Sequence, residues 1–363
     1  MCMNHQLVNF DQQKADAFAD RLVNTLNEGG LCVMLSIGHR TGLFDALDGQ
    51  APMTSAALAE HAGLNERYVR EWLNAMVVSQ VVHYDPQHKT YALPEEHATY
   101  LTRRSDEGNI AVFAQYIPIM GTVEDHIVDC FRHGGGVPYE KFHRFHEVMA
   151  EDSGQTVLPA LRDHILPLVP GLIDKLERGI RVLDVGCGRG RALQLLAGWF
   201  PNSTFVGLDL SAAAIDYARQ QARQQGLENV QYFARDLSDF DQDDHAEQYD
   251  LITTFDAVHD QARPLSVLRG IYRALKDDGV YLMQDIHGHS EVHENLEHPI
   301  APLLYALSTN HCMTVSLAQG GEGLGTLWGR EKAQELLNAA GFSRIAIHQL
   351  EHDFQNDYYV IQK

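Results

Sequence analysis

Apolar and polar residues repeat along this chain with a period that changes twice. In the first third the period is helical. From Phe10 to Leu26 apolar residues recur at helical spacing, a pattern predicted to stop at Gly29-Gly30, and the following LCVMLSIGHRTGLFDAL is apolar enough to be buried on most sides. Thr54 or Ser55 can cap a short helix that Gly63 ends, and Asn65 can cap a second with Tyr68, Val69, Trp72, Leu73, Met76 and Val77 on one face. Two strand-like runs, Val81 to Tyr84 and Thr90 to Leu93, then flank an Asp-Pro turn. Helix, turn, helix and hairpin predict a winged helix.

Between Ile110 and Gly171 proline and glycine interrupt the helical pattern, and this stretch is expected to be a helical bridge whose Tyr116, Met120, Tyr139 and Phe142 could wall a pocket. After Gly179 strands alternate with helices: RVLDVG, STFVGLDL, VQYFARDL, YDLITTF and VYLMQDI read as strands with helices between them. That order predicts a doubly wound α/β sheet. The last two strands, SRIAIHQL and DYYVIQK, are joined by a short polar link, which favours antiparallel pairing. The expected domains are 1–109, a winged helix; 110–171, a bridge contributing to a substrate pocket; and 172–363, the α/β domain.

Charge changes how the winged helix is read. The chain carries 28 Lys and Arg against 49 Asp and Glu, a net charge of −21. Its first 109 residues hold eight basic side chains against fourteen acidic ones, and the would-be recognition helix sets Glu66 and Glu71 beside Arg67 and Arg70. Such a surface repels phosphate, so no nucleic-acid partner is expected and a packing or dimerisation role is. The N-terminal stretch lacks a basic segment followed by an apolar core, and no later run has bilayer length; a cytoplasmic protein with no membrane partner is expected. Five cysteines, Cys2, Cys32, Cys130, Cys187 and Cys312, follow no C-x-x-C spacing, so reduced thiols are expected. His287, His289, His293 and His298 lie near Glu291, Glu294 and Glu297, yet without a recognised ligand spacing, and no metal is expected.

The stretch RVLDVGCGRG carries the chemistry. A strand running into Gly186, Gly188 and Gly190 and then a helix brings backbone N–H groups close to a ligand. Three acids narrow the ligand. Asp184, just before the glycines, would repel a pyrophosphate and suits a cationic group. Asp209, ending the second strand, can accept both hydroxyls of a ribose, and Asp236 after the third can accept from an exocyclic adenine amine. Amino group, ribose and adenine together describe S-adenosylmethionine.

These motifs resemble those of the class I S-adenosylmethionine-dependent methyltransferases over Gly179 to Lys363: LDVGCGRG is similar to their first motif, GLDLS to their second-strand acid, ARDL to their adenine contact. The resemblance implies a Rossmann-like sheet of seven strands, the last antiparallel, preceded by the mostly helical winged-helix domain. It also implies that Gly186, Cys187, Gly188 and Gly190 line the methionine and ribose part and that Asp209 holds the ribose. Leu210 would pack on adenine, with Asp236, Leu237 and Phe255 nearby. With the winged helix, and with HCMTVSLAQGGEGLGTLWG (His311 to Gly329), the whole chain resembles bacterial two-domain small-molecule methyltransferases, which implies a homodimer.

A sulfonium methyl is already activated, so a methyltransferase mainly aligns a nucleophile and excludes water, and a phenolic acceptor gains from a base. His259 lies just past the fourth strand and is the candidate base, with Asp260 as the favoured helper over Asp256. VHD is similar to the His-Asp pair of plant-type O-methyltransferases, although Gln261 stands where they carry tryptophan. The expected activity is S-adenosylmethionine-dependent methylation of a small molecule, at oxygen first. A cofactor-sensing transcriptional regulator without catalysis and a dinucleotide-dependent oxidoreductase are the rival readings.

Overall fold

The computed structural model describes residues 10–104, 108–243 and 246–363; Cys2, Asp106 and Glu107, counted above, lie outside the described residues. The chain divides into two compact units, one ending at Pro118 and the other beginning at Ile119, so the division falls inside the stretch 110–171 read as a bridge.

The first unit opens with a helix, Gln12–Thr41, capped by Asp11, whose carboxylate accepts from the Lys14 amide at 3.2 Å, and closed by Gly42 in the left-handed region. It does not stop at Gly29-Gly30. Two interior glycines cost about 1 kcal/mol each, but Leu31, Met34 and Leu35 beyond them pack on the core of this unit, and Trp72 Nε1 donates to the Met34 carbonyl at 3.0 Å. Tertiary packing overrides the local stop. Thr54 and Asn65 cap the helices Ser55–Ala62 and Glu66–Val78 as expected. On the second of these Val69, Trp72, Leu73 and Met76 form the buried stripe, whereas Tyr68 is 80% exposed, because it lies one position outside the i, i+3, i+4, i+7 row. Strands β1 (His83–Asp85) and β2 (Thr90–Ala92) pair antiparallel, shorter than the predicted runs, and the Asp85 carboxylate accepts from the Gln87 amide to close the turn.

The second unit is built on seven strands: β3 (Arg181–Val185), β4 (Thr204–Asp209), β5 (Val230–Ala234), β6 (Tyr249–Phe255), β7 (Leu275–Ile286), β8 (Arg344–Leu350) and β9 (Asp353–Gln362). Their order is β5-β4-β3-β6-β7-β9-β8, with β3 to β7 parallel and β9 antiparallel to both neighbours. Apolar side chains cover both faces. On one face Leu161, Ile165, Leu166 and Val169, from the supposed bridge, pack with Leu193, Leu196 and Phe200, so this part of the bridge is integral to the α/β unit. The other face holds Leu183, Ile252, Leu268, Ile271 and Tyr281. The strand order reverses between β3 and β6, which run parallel, and in such sheets ligands bind at the carboxyl ends of the strands flanking the reversal.

Candidate active site

The loop after β3 is shaped by its glycines. Gly186, Gly188 and Gly190 all adopt left-handed backbone, with φ of 77°, 52° and 69°. A Cβ on Gly186 would overlap Ala257 and one on Gly190 would overlap the Tyr232 ring, so both allow close packing; one on Gly188 would meet nothing. Gly188 is the glycine that faces open space. The loop is fastened to the end of β4: the Gly186 and Cys187 amides donate to the Leu208 carbonyl, and the Gly188 amide donates to Asp209 Oδ2 at 2.8 Å. Asp209 Oδ1 accepts from the Ser211 amide at 2.8 Å. Asp209 therefore ties the two strand ends together, and each of its oxygens keeps a further lone pair.

A cleft of about 890 Å³, counting its open mouth, lies against this loop; Asp184, Gly186, Cys187, Gly188, Asp209, Phe255 and Asp260 line it. A second recess adjoins it, lined by Asp209, Leu210, Asp236 and Leu237, with Gly186 and Asp260 shared. Gly190 is buried behind the loop and lines neither. Asp184 accepts from Thr253 Oγ1 at 2.8 Å and has no ion-pair partner among the described residues; burial pushes its pKa up to about 7, with the Thr253 hydrogen bond opposing. Burial likewise raises the Cys187 thiol well above its ordinary range, so that it is a neutral filler of the turn.

His259 is almost fully buried and lines neither recess. Its Nδ1 lies 2.7 Å from Asp285 Oδ1 and its Nε2 lies 3.3 Å from Asp260 Oδ1. Burial alone would discharge the ring, but the two carboxylates outweigh it and hold the pKa well above the ordinary histidine value. Asp285 also accepts from Trp328 Nε1 at 3.0 Å and from the Ile286 amide at 2.9 Å. Asp260 is the member of this group that reaches the cleft, where Tyr139 donates to it at 3.4 Å; burial raises its pKa and His259 opposes. Asp256, the alternative helper, also lines the cleft, in left-handed backbone (φ 49°), and accepts from Gln284 at 3.0 Å.

Of the four aromatic and apolar candidates from the bridge, Tyr139 lines both recesses; Tyr116, buried in the first unit, the buried Phe142 and the half-buried Met120 line neither. The cleft also holds residues that the sequence did not single out: His146, Met149, Arg189 and Arg191. Arg189 stood inside the glycine motif itself. His146 comes from an irregular segment with no readable spacing. In the histidine-rich loop, His289 lies 2.9 Å from Glu331 and 3.9 Å from Glu294, a group explained by ion pairing, whereas His287 turns to Asp357. Donor atoms of His259, Asp260 and Cys312 also lie within 4.8 Å of one another.

Comparison with known proteins agrees with this architecture. Residues 29–103 match the family model described as an Rv2258c-like winged HTH domain, and residues 176–341 match a methyltransferase domain. A curated relative, the ubiquinone biosynthesis O-methyltransferase of Actinobacillus pleuropneumoniae, is 32% identical over 132 residues, 36% of this chain and 53% of the relative. The chain thus spans about half the length of the curated relatives it matches. Among solved structures, an O-methyltransferase family protein from Burkholderia thailandensis superposes with a TM-score of 0.69 at 16% identity, covering 95% of this chain and 98% of that one. Human N-acetylserotonin methyltransferase, solved with S-adenosylmethionine, gives 0.64 at 19% identity over 98% and 99%. The chain joins a winged helix-turn-helix domain to a Rossmann-like methyltransferase domain.

Proposed function

We propose that this protein is an S-adenosylmethionine-dependent methyltransferase that methylates a small molecule at oxygen. The observation that carries the reading is the convergence of the open glycine loop, Asp184 and Asp209 on one cleft at the carboxyl ends of β3 and β4. The residues fit the cofactor. Asp184 is a cleft carboxyl without a cationic partner among the described residues, which an amino group would supply, and Gly188 leaves room where a side chain would intrude. In this reading Asp184, Gly186, Cys187 and Gly188 form the methionine side with Gly190 packed behind them on Tyr232, Asp209 holds the ribose, and Leu210, Asp236, Leu237 and Phe255 surround the adenine and its approach. Curated and structural relatives named as O-methyltransferases support oxygen as the acceptor atom.

When bound, S-adenosylmethionine supplies a methyl already activated by its sulfonium, so the chain's own residues have to align the acceptor and keep water out. Tyr139 and Asp260 face the acceptor side of the cleft. Of the expected pair His259 and Asp260, Asp260 is the member that meets the acceptor in this reading and His259 positions it. A histidine whose Nδ1 proton is held by Asp285 and whose Nε2 faces the Asp260 charge at 3.3 Å is a poor proton acceptor at neutral pH; its part is to hold Asp260 in place and favour its ionised form.

In this reading the protein is also a homodimer. Phe18, Leu22, Leu26, Val33 and Ile37 are exposed and fall on one face of the helix Gln12–Thr41, an apolar stripe suited to a second copy. Leu22→Glu with Leu26→Glu should convert a dimer into a monomer in sedimentation analysis; a wild-type monomer removes this part of the proposal. With four described cysteines free and no helix among the described residues long and apolar enough to cross a membrane, we place the enzyme in the cytoplasm.

The test of function is transfer of a labelled methyl from S-adenosylmethionine to phenol, catechol or 1-naphthol. A labelled aryl ether is the expected product. Cofactor binding without transfer to these or to amine and thiol probes would speak for a sensor rather than an enzyme.

A further inference from the structure

The cleft carries a histidine of its own. His146 sits in the first turn of the helix Phe145–Ser153 and lines both recesses, the one reached by Asp184 and Phe255 and the one reached by Asp236. Its ring is held parallel to that of Tyr139, 11° from coplanar with centroids 5.5 Å apart, so its nitrogens have a fixed direction. Among the described residues neither nitrogen has a hydrogen-bond partner.

The charges around it come from five different segments. Tyr139 stacks on it, Arg189 faces it from the glycine loop, Asp209 from the end of β4, Asp260 from the turn after β6, and His311 from the π-helical turn Ser308–Cys312. Burial lowers its pKa most, Arg189 lowers it further, and Asp209 and Asp260 oppose, leaving it below the ordinary histidine value. The amino-terminal end of its helix also disfavours a positive ring. At neutral pH the ring is neutral. His259 has the opposite character: buried, outside both recesses and held protonated by two carboxylates.

We propose that His146 is a further catalytic residue, the group that accepts the proton of the methyl acceptor's hydroxyl. This rests on the methyltransferase reading above. The acceptor oxygen uses a lone pair to form the O–C bond to the methyl carbon as the C–S bond breaks, with that electron pair staying on sulfur. The hydroxyl proton passes to a His146 nitrogen and from there to solvent through the open mouth of the cleft. Asp209 and Asp260, which line the same recess, stabilise the imidazolium as it forms, and His259 acts through Asp260 as a positioning residue. Such an arrangement resembles other sites in which a neutral imidazole is kept ready by its surroundings.

The experiment compares wild type with His146→Gln and His146→Asn. Calorimetric titration with S-adenosylmethionine reports whether each variant keeps a folded cofactor site. Methyl transfer to phenol, catechol and 1-naphthol is followed between about pH 5 and 9, a span that covers the histidine range. The proposal expects cofactor affinity within about threefold of wild type, kcat lower by roughly 100-fold, the scale of one general base, and loss of the acidic limb of the pH profile. Histidine NMR of the free protein should show one resonance, absent in both variants, titrating below the ordinary value. Unchanged kcat and pH profile in both variants would overturn the role of His146 and leave the methyltransferase reading standing; a wild type that binds no cofactor or methylates none of the probes overturns the reading itself, and the proposal with it.

Discussion

Replacing Asp285 by asparagine isolates the charge that holds His259. The amide oxygen of Asn can still accept from His259 Nδ1, Trp328 Nε1 and the Ile286 amide, so shape and most hydrogen bonds survive while the negative charge goes. Breaking a buried ion pair by removing one partner costs about 3–5 kcal/mol. The retained acceptor puts Asp285→Asn near the lower end, about 3 kcal/mol, and relief of Asp256, whose pKa is raised first by burial and then by Asp285, works in the opposite direction. The sign of the pH dependence follows from His259. Its folded-state pKa lies above its unfolded value, so the stabilisation is complete below about pH 6.5 and is lost as pH rises through the raised folded-state value. Urea unfolding of wild type and variant should therefore show a large stability gap near neutral pH that narrows in alkaline buffer. A gap under about 1 kcal/mol, smaller than any buried ion pair should give, or one of equal size at both pH values, would refute the idea that the Asp285–His259–Asp260 group is a charged, stabilising unit.

Three further outcomes follow from the same geometry. The Asp184 carboxyl has a raised folded-state pKa of about 7, so its share of the free protein's stability is present at acid pH and lost as pH rises towards that value; affinity for S-adenosylmethionine should increase over the same range with release of a proton, seen as buffer-dependent heat of binding, and Asp184→Asn should abolish both trends. Gly190→Ala, which drives a Cβ into Tyr232, should lower the unfolding midpoint clearly, whereas Gly188→Ala, with open space around it, should lower it by about 1 kcal/mol of backbone strain yet weaken cofactor binding; equal stability losses in the two variants would count against the assigned directions. Operator-length duplex DNA at moderate salt should give no mobility shift with the full chain, because the winged-helix segment is net acidic; a sequence-dependent shift would favour a regulator.

Local chemistry was legible wherever a residue acts on its own neighbourhood. Thr54, Asn65 and Gly63 mark helix ends by their side chains or lack of one, and the glycines beside Asp184 and Asp209 mark a ligand loop, because tight turns and strand-end carboxylates need those residue types. What depends on distant packing was not legible. The helix through Gly29-Gly30 is held by Trp72 and the core beyond, and Tyr68 was set on the wrong face by a single position. Asp285 carried an overlooked signal: an acid next to Gln284 near the end of the mostly apolar VYLMQDI requires a buried partner, and His259 is that partner. His146 and Met149 had none, since they enter the site from a segment whose approach is set by how the chain between Ile119 and Gly171 packs on the sheet.

The most direct test of the central claim is calorimetric titration of wild type and Asp209→Ala with S-adenosylmethionine. Asp209 joins the Gly188 and Ser211 amides and has lone pairs left for two ribose hydroxyls, each charge-assisted bond worth about 1.5–3 kcal/mol. The account predicts one site per chain in wild type and a dissociation constant higher by roughly 100-fold or more in the variant. Equal affinity in both proteins, or no binding to wild type, would contradict it.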